Sequence, residues 1–487
     1  MNQKSIKSNL IYNIFYQILI LIVPLITTPY VSRVLNPSGL GSYSVTTAIT
    51  KYFVLFALLG MNNYGNRMIA KSRKNKLSDT FWSLWYFQLL FSLITIFLYF
   101  IYIFIFGYKK YHFLILCQIP YILSSIFEVS WFFYGMEEFK LMVKRNTFIK
   151  IFTMILIFYF VKNQNDVWIY ILINSLSLLF GQLILWPKII KNVEFRKFDF
   201  SKVKKHFKPN LVLFVSVLAV SIYTLMDKIM IEQFSSIDEV GYYENAEKIF
   251  NIAINIVGAI GAVMLPRISS LEEEKNNKKI NEYIKKSLKY IMIFAIAITC
   301  GIFSVAKPFS LIFFGEKFEK CGLLLMVLSP AIVFYSWSNI LRTQYLLPKE
   351  KDKIFVKGTI YAAIVNFAIN LLLIPKYGSL GAVIGTVGAQ LTESLFQTIK
   401  IEKELTLKKD IIMQFPYIIF GIIMYFVCLF ISKTIDKQVL SLIMQILFGG
   451  LIYILLTGIY LYIIEDELIF SLFMKRKKGA KNEQISK

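Results

Sequence analysis

Apolar runs near the length that crosses roughly 30 Å of hydrocarbon as a helix, about 20 residues, recur from one end of the chain to the other. They fall at 10–32, 43–66, 81–107, 111–134, 147–162, 167–187, 209–232, 241–265, 287–306, 322–346, 354–375, 379–399, 411–432 and 438–463. The pattern predicts fourteen transmembrane helices, called spans 1 to 14 below. The run at 147–162 is short and the one at 241–265 is polar. Residues 1–32 resemble a cleaved leader in having Lys4 and Lys7 ahead of an apolar run. The run is long, holds Pro24 and Pro29 and lacks a small-x-small cleavage site, so it reads as a retained first helix.

Lys and Arg lie in short blocks between the runs. With the N-terminus in the cytoplasm, the inward segments carry about 35 of them and the outward loops about 10, which fixes the expected orientation with both termini inside. The balance of the 487 residues agrees, with 56% hydrophobic and only 17% charged. A soluble chain of this size would carry about 25% charged residues. A soluble enzyme and a disordered scaffold are therefore excluded. The net charge of +24 is distributed over the loops and forms no continuous patch, so it points to a membrane surface and not to nucleic acid. Four cysteines without CxxC spacing and two histidines argue against a disulfide framework, a metal site or a cofactor.

The sequence repeats weakly. Gly41 and Gly241 open spans 2 and 8, and Arg67 and Arg267 end them, each pair 200 residues apart; Asn9 and Asn210 open spans 1 and 7, and Pro120 and Pro330 lie in spans 4 and 10. Two parallel six-helix lobes follow, with two additional C-terminal helices. The expected organisation is an N-terminal lobe at 1–187, a basic cytoplasmic linker at 188–208, a C-terminal lobe at 209–399, spans 13 and 14 within 400–464, and a basic cytoplasmic tail at 465–487. The linker, KIIKNVEFRKFDFSKVKKHFK, reads as a basic amphipathic segment on the membrane surface. Parallel repeats of this kind are a transporter signature.

No GxxxxGK[ST], DxD, HExxH or GxSxG motif occurs, so nucleotide hydrolysis, sugar transfer and metal- or serine-based hydrolysis find no support, and the chain reads as a non-enzyme. The glycines of YGSLGAVIGTVG open span 12 and read as close helix packing. Candidate function rests on charges within apolar spans, where each costs about 2.5–3.5 kcal/mol on insertion scales and needs a cavity or a partner. Asp227 and Lys228 in span 7 form either a gating pair on a wet wall or a snorkelling pair at the interface. Glu244 and Lys248, spaced i,i+4 at the start of span 8, can pair on one face. Glu247 joins Asn251 and Asn255 in a polar stripe that belongs against protein or water. Arg33 and Lys51 place cations in the outer half of spans 1 and 2, Arg33 either as a headgroup anchor or as a phosphate contact. Arg67, Arg267 and Arg342 end their helices at the inner face, as anchors or as phosphate ligands. Glu128 in span 4 is a buried acid suited to a cavity, to protonation or to a coupling cation.

The motifs also carry a resemblance. NLIYNIFYQILILIVPLITTPYVSRVLNPSGLGSYS, LLGMNNYGNRMIAK, EVSWFFYGMEEFK, MDKIMI, VGYYENAEKI, VMLPRIS and PKYGSLGAVIGT, in this order from about residue 8 to about residue 400, resemble Wzx-type polysaccharide flippases. The resemblance implies an all-α integral membrane protein of the MOP superfamily with a MATE-like fold, related to MATE exporters and lipid II flippases. It implies alternating access that carries undecaprenyl-pyrophosphate-linked oligosaccharide from the inner to the outer leaflet of the bacterial cytoplasmic membrane, for capsule or other surface polysaccharide assembly. Membrane lipids and a polysaccharide polymerase are the implied partners. By the matching motifs, the resemblance implies functional positions at Arg33, Arg67, Asp227, Lys228, Glu247 and Lys248. With the charges read from the spans themselves, the expected substrate contacts are Arg33, Lys51, Arg67, Lys228, Lys248 and Arg267, and the expected gating or coupling acids Asp227, Glu244, Glu247 and Glu128. A cation-coupled small-molecule exporter of the same architecture is the alternative.

Overall fold

The computed structural model describes residues 3–73, 76–106, 110–273 and 277–466. It is almost entirely helical, and each predicted span coincides with a helix or with consecutive short helices. Nine helical stretches among the described residues are long and apolar enough to cross a bilayer. The described chain groups into two compact units. One holds residues 1–248, 313–320 and 359–389; the other holds 249–312, 321–358 and 390–487.

Spans 1 and 2 run as one helical stretch, Gln3–Leu58, broken at Asn36 (φ 60°, ψ 174°). The break has two local causes. Pro37 disfavours the helical conformation for the residue before it, and Asn tolerates positive φ better than most residues. Span 7 is Phe207–Phe234 and span 8 is Ile237–Glu273, separated by Ser235 and Ser236. Asp238 and Glu239 stand in the first turn of span 8, where the helix dipole favours acids.

Spans 2 and 8 touch through their repeat-related glycines. A Cβ on Gly41 would lie 2.0 Å from the Ile237 carbonyl oxygen, and a Cβ on Gly241 would lie 2.0 Å from the Pro37 carbonyl oxygen. The two contacts exchange under the 200-residue repeat, so the helix starts meet about a local pseudo-two-fold axis. Any side chain at either position forces the backbones apart.

Span 4 is not continuous. It consists of His112–Leu116, Ile119–Phe127 and Ser130–Gly135. A broken helix leaves carbonyls without amide partners, which is costly in hydrocarbon. Side chains from other spans supply the donors here. Gln88 donates to the carbonyls of Ser125 and Glu128 at 2.7 and 2.9 Å, Trp85 to Ile126 at 3.0 Å and Trp186 to Phe127 at 3.0 Å.

The basic linker is fastened to the start of span 3, the helix Leu77–Phe106. The Trp82 indole donates to the Glu194 carbonyl at 2.8 Å and the Tyr86 hydroxyl to the Arg196 carbonyl at 3.0 Å, while Phe195 and Phe198 pack on the same two rings. At its end, His206 is buried with both ring nitrogens engaged, Nδ1 by the Tyr64 hydroxyl and Nε2 by the Ser83 hydroxyl, each at 3.0 Å. Burial, with a smaller contribution from Lys205, pushes its pKa down from the ordinary 6.5 to about 4.

Two predictions follow from this packing. Gly41→Ala and Gly241→Ala should each lower stability by about 1–3 kcal/mol or more through overpacking. Gly458→Ala, which opens onto free space, should change it by no more than about 1 kcal/mol; thermal unfolding in detergent compares them. For His206, the depressed folded value means that the unfolded chain binds the proton more readily. Its contribution is complete above pH 6.5 and is lost as pH falls toward 4. The stability difference between wild type and His206→Asn should therefore shrink over that interval and stay constant above it.

Candidate functional site

One unit gathers charged and polar side chains from spans 2, 7, 8, 11 and 12. Lys228 on span 7 is its hub. Its Nζ lies 2.6 Å from Glu244 Oε2 and 2.8 Å from Glu247 Oε2, both on span 8. Glu244 is buried and shared further. Its Oε1 lies 3.4 Å from Lys248 Nζ one turn along the helix, and its Oε2 accepts from the Ser44 hydroxyl of span 2 at 2.6 Å. Ser44 and Glu244 are themselves 200 residues apart, so this bond continues the glycine seam inward. Lys51, on the same helix as Ser44, is accessible and within electrostatic reach of Lys228, Glu247 and Glu244.

Asp227 faces elsewhere. Neighbours on a helix point about 100° apart, and Asp227 is fully buried among neutral donors. Tyr243 OH donates to Oδ2 at 2.7 Å, Asn370 Nδ2 to Oδ1 at 2.6 Å and Thr386 Oγ1 to Oδ2 at 3.3 Å. Asn370 comes from span 11 (Asp352–Tyr377) and Thr386 from span 12 (Ser379–Leu405). Their approach depends on Gly385, where a Cβ would fall 2.1 Å from Asn370 Oδ1. That glycine makes room for a polar network, whereas Gly381 serves the expected backbone packing against Leu373 and Ile374.

The structure thus brings together Asp227, Lys228, Glu244, Glu247, Lys248 and Lys51. It adds Ser44, Tyr243, Asn370 and Thr386, which the sequence reading did not single out. Asn366 and Asn370, one turn apart in an apolar run, were an available signal, as was the offset linking Ser44 to Glu244. Lys228 and Lys248 stand against Glu244 and Glu247, with Lys51 nearby, so charges of both signs share the cluster.

Arg33 is exposed at the end of span 1 and donates to the Pro29 carbonyl at 3.2 Å. Arg67 is exposed on the helix Met61–Lys71. Glu128 sits at a break in span 4, where its Oε1 accepts from the Ser130 amide at 2.8 Å and its Oε2 from Gln182. Its observed work is to cap the helix Ser130–Gly135. Arg342 donates to Asn339 Oδ1 at 3.2 Å and lies over the Phe355 ring in the second unit. Asn251 and Asn255 are exposed. The side chain of Arg267 lies outside the described residues.

Comparison with known proteins gives two family profiles that each match more than half of the chain. One, described as polysaccharide biosynthesis protein, covers residues 6–272. The other, described as lipid II flippase MurJ, covers residues 152–473. Among curated relatives, a provisionally named O-antigen transporter of Escherichia coli (strain K12) is 26% identical over 79% of this chain and 93% of its own length. Among solved structures, an inward closed lipid II flippase MurJ superposes with a TM-score of 0.75 at 18% identity, covering 94% of this chain and 99% of its own. An inward-facing multidrug resistance MATE family transporter of the MOP superfamily gives 0.57 at 12% identity, covering 80% and 99%. These two likenesses establish the fold.

Removing one member of a buried ion cluster leaves its partners uncompensated, at about 3–5 kcal/mol. Lys228→Met should therefore destabilise the protein by that order in detergent unfolding. Adding Glu244→Gln to it should recover part of the loss, because one stranded charge is then removed. A double variant no more stable than Lys228→Met would show that the cluster is not energetically coupled.

Proposed function

The chain belongs to the polysaccharide biosynthesis protein family, a Wzx-type branch of the MOP superfamily, and from that premise we propose that this multi-pass membrane protein flips undecaprenyl-pyrophosphate-linked oligosaccharide repeat units from the inner to the outer leaflet of the bacterial cytoplasmic membrane. The observation that carries the reading is Lys228 held between Glu244 and Glu247, with Lys248 and Lys51 beside it. A pyrophosphate esterified at both ends, as in a sugar-linked lipid, is a dianion and competes with the two carboxylates for the same ammonium groups. Exchange of one anionic partner for another opens a path for the headgroup without stripping any lysine of its counter-charge in a low-dielectric interior. Lys228, Lys248 and Lys51 are the proposed phosphate contacts nearest one another. Arg33, Arg67 and Arg267 are proposed as contacts at the two mouths.

Glu244 and Glu247 act as the gating acids in this scheme, since they must release a lysine for the headgroup to take it. Asp227 is proposed as the coupling acid. It is held by neutral donors, so it can take up a proton or a monovalent cation without breaking an ion pair. Because Tyr243 bonds Asp227 and its neighbour Glu244 bonds Lys228, one short stretch of span 8 reads both groups. Glu128 is kept as a secondary coupling candidate. Alternating access, cytoplasmic termini, the linker 188–208 joining halves 1–187 and 209–399, and an extracytoplasmic polymerase as the consumer of product complete the proposal.

Depletion of the protein in its host, with mass spectrometry and leaflet labelling of lipid-linked glycans, tests it. Complete repeat units should accumulate on the inner leaflet, and Lys228→Met should fail to clear them. Unchanged glycan lipids with a new sensitivity to cationic drugs would replace this reading with the exporter.

A further inference from the structure

A small cavity of about 180 Å³ lies beside the ion cluster, lined by Thr27, Thr28, Ser32, Tyr170 and Lys248 and otherwise by apolar carbon. Its volume is below the roughly 300 Å³ at which ligand sites for whole small molecules begin, so it suits one ring of a larger ligand. Its chemistry is selective. Three hydroxyls and a phenol both donate and accept, one ammonium contributes charge, and no carboxylate is present in the lining. Thr27 donates to the Val23 carbonyl at 3.0 Å, which leaves its oxygen free to accept from a ligand. Behind the lining, Asn245 is fully buried and bonds Ser32 through Nδ2 at 2.9 Å, while its Oδ1 has no partner. A buried amide oxygen without a donor is costly, and it orients Ser32 as part of a network that lacks one donor. The Tyr170 ring is itself held edge-on by Tyr43 at 4.7 Å.

Lys248 belongs to both features. It lines this cavity and reaches Glu244 in the cluster. We infer that the cavity holds the sugar residue attached directly to the pyrophosphate, with Thr28, Ser32 and Tyr170 reading its hydroxyl or amide groups while Lys248 bridges ring and phosphate. The inference rests on the flippase reading and extends it to a specificity site: the first sugar is selected here, beside the charge site that accepts any pyrophosphate lipid. A cationic drug finds no counter-charge in this lining.

The full chain in nanodiscs tests this with two kinds of probe: undecaprenyl pyrophosphate methylated on its terminal phosphate, which serves as the bare pyrophosphate because it has the same two ionisable groups as a sugar-linked lipid, and undecaprenyl-pyrophosphoryl monosaccharides carrying a hexose, an N-acetylhexosamine or a uronic acid. At least one monosaccharide lipid should bind about tenfold more tightly than the bare pyrophosphate, as expected for one or two added hydrogen bonds. Thr28→Val and Tyr170→Phe, both close in shape to the wild type, should reduce that advantage to less than about threefold while leaving affinity for the bare pyrophosphate unchanged. Equal binding of all lipids to wild type would overturn the sugar site alone and leave the flippase reading intact. Loss of bare-lipid and sugar-lipid binding together in both variants, with unchanged thermal unfolding, would also overturn it, since the cavity would then belong to phosphate binding. Binding of neither kind of lipid to wild type would overturn both readings.

Discussion

An ammonium group in hydrocarbon must have its charge answered, and Lys228 is answered twice. Its two carboxylates sit one turn apart on span 8, so a single side chain fixes both the rotation of that helix and its distance from span 7. The same helix presents Tyr243 to Asp227 on the other side. Spans 7, 8, 11 and 12 therefore converge by electrostatic necessity, and the glycines of span 12 are where they are because the convergence leaves no room for side chains. Small residues at Gly381 and Gly385 serve two different ends, a backbone contact and a polar one.

The seam between spans 2 and 8 shows how a repeat becomes a mechanical element. Two glycines, two carbonyls and a Ser–Glu bond obey the same 200-residue offset. The steric and the electrostatic parts are joined through Glu244, which bonds Ser44 on one side and two lysines on the other. A change in what Lys228 binds is thereby felt at the helix starts, without any intervening loop.

Much of this was readable from the residues. The fourteen runs all fall on helices, including the short one at 147–162 and the polar one at 241–265, because most have the length and hydropathy that decide the element in a membrane. The ionised members of the cluster were conspicuous because charge in an apolar run is rare. The neutral members were not: a serine, a threonine, a tyrosine and an asparagine are unremarkable in membrane helices, and only their distant partners give them meaning. The segmentation of span 4 was hidden for the same reason. Pro120 marks one break, but what makes the breaks tolerable is Gln88, Trp85 and Trp186, all far along the chain. Which acid each lysine meets was legible only in part: the i,i+4 spacing announces Glu244 and Lys248, whereas Lys228 meets Glu244 and Glu247 across two helices.

The broken span has a consequence for biogenesis. A chain enters the bilayer from its N-terminus, and span 4 arrives with four carbonyls at its break that the bilayer itself cannot satisfy, that of Glu128 having a donor on the span in the Trp131 indole at 3.1 Å. Gln88 and Trp85, which answer three of them, lie on span 3 and are already in place when span 4 emerges. The last, Phe127, waits for Trp186 at the end of span 6. The order of synthesis thus matches the order in which the donors are supplied, and the break in span 4 is fully answered only when the end of span 6 has docked.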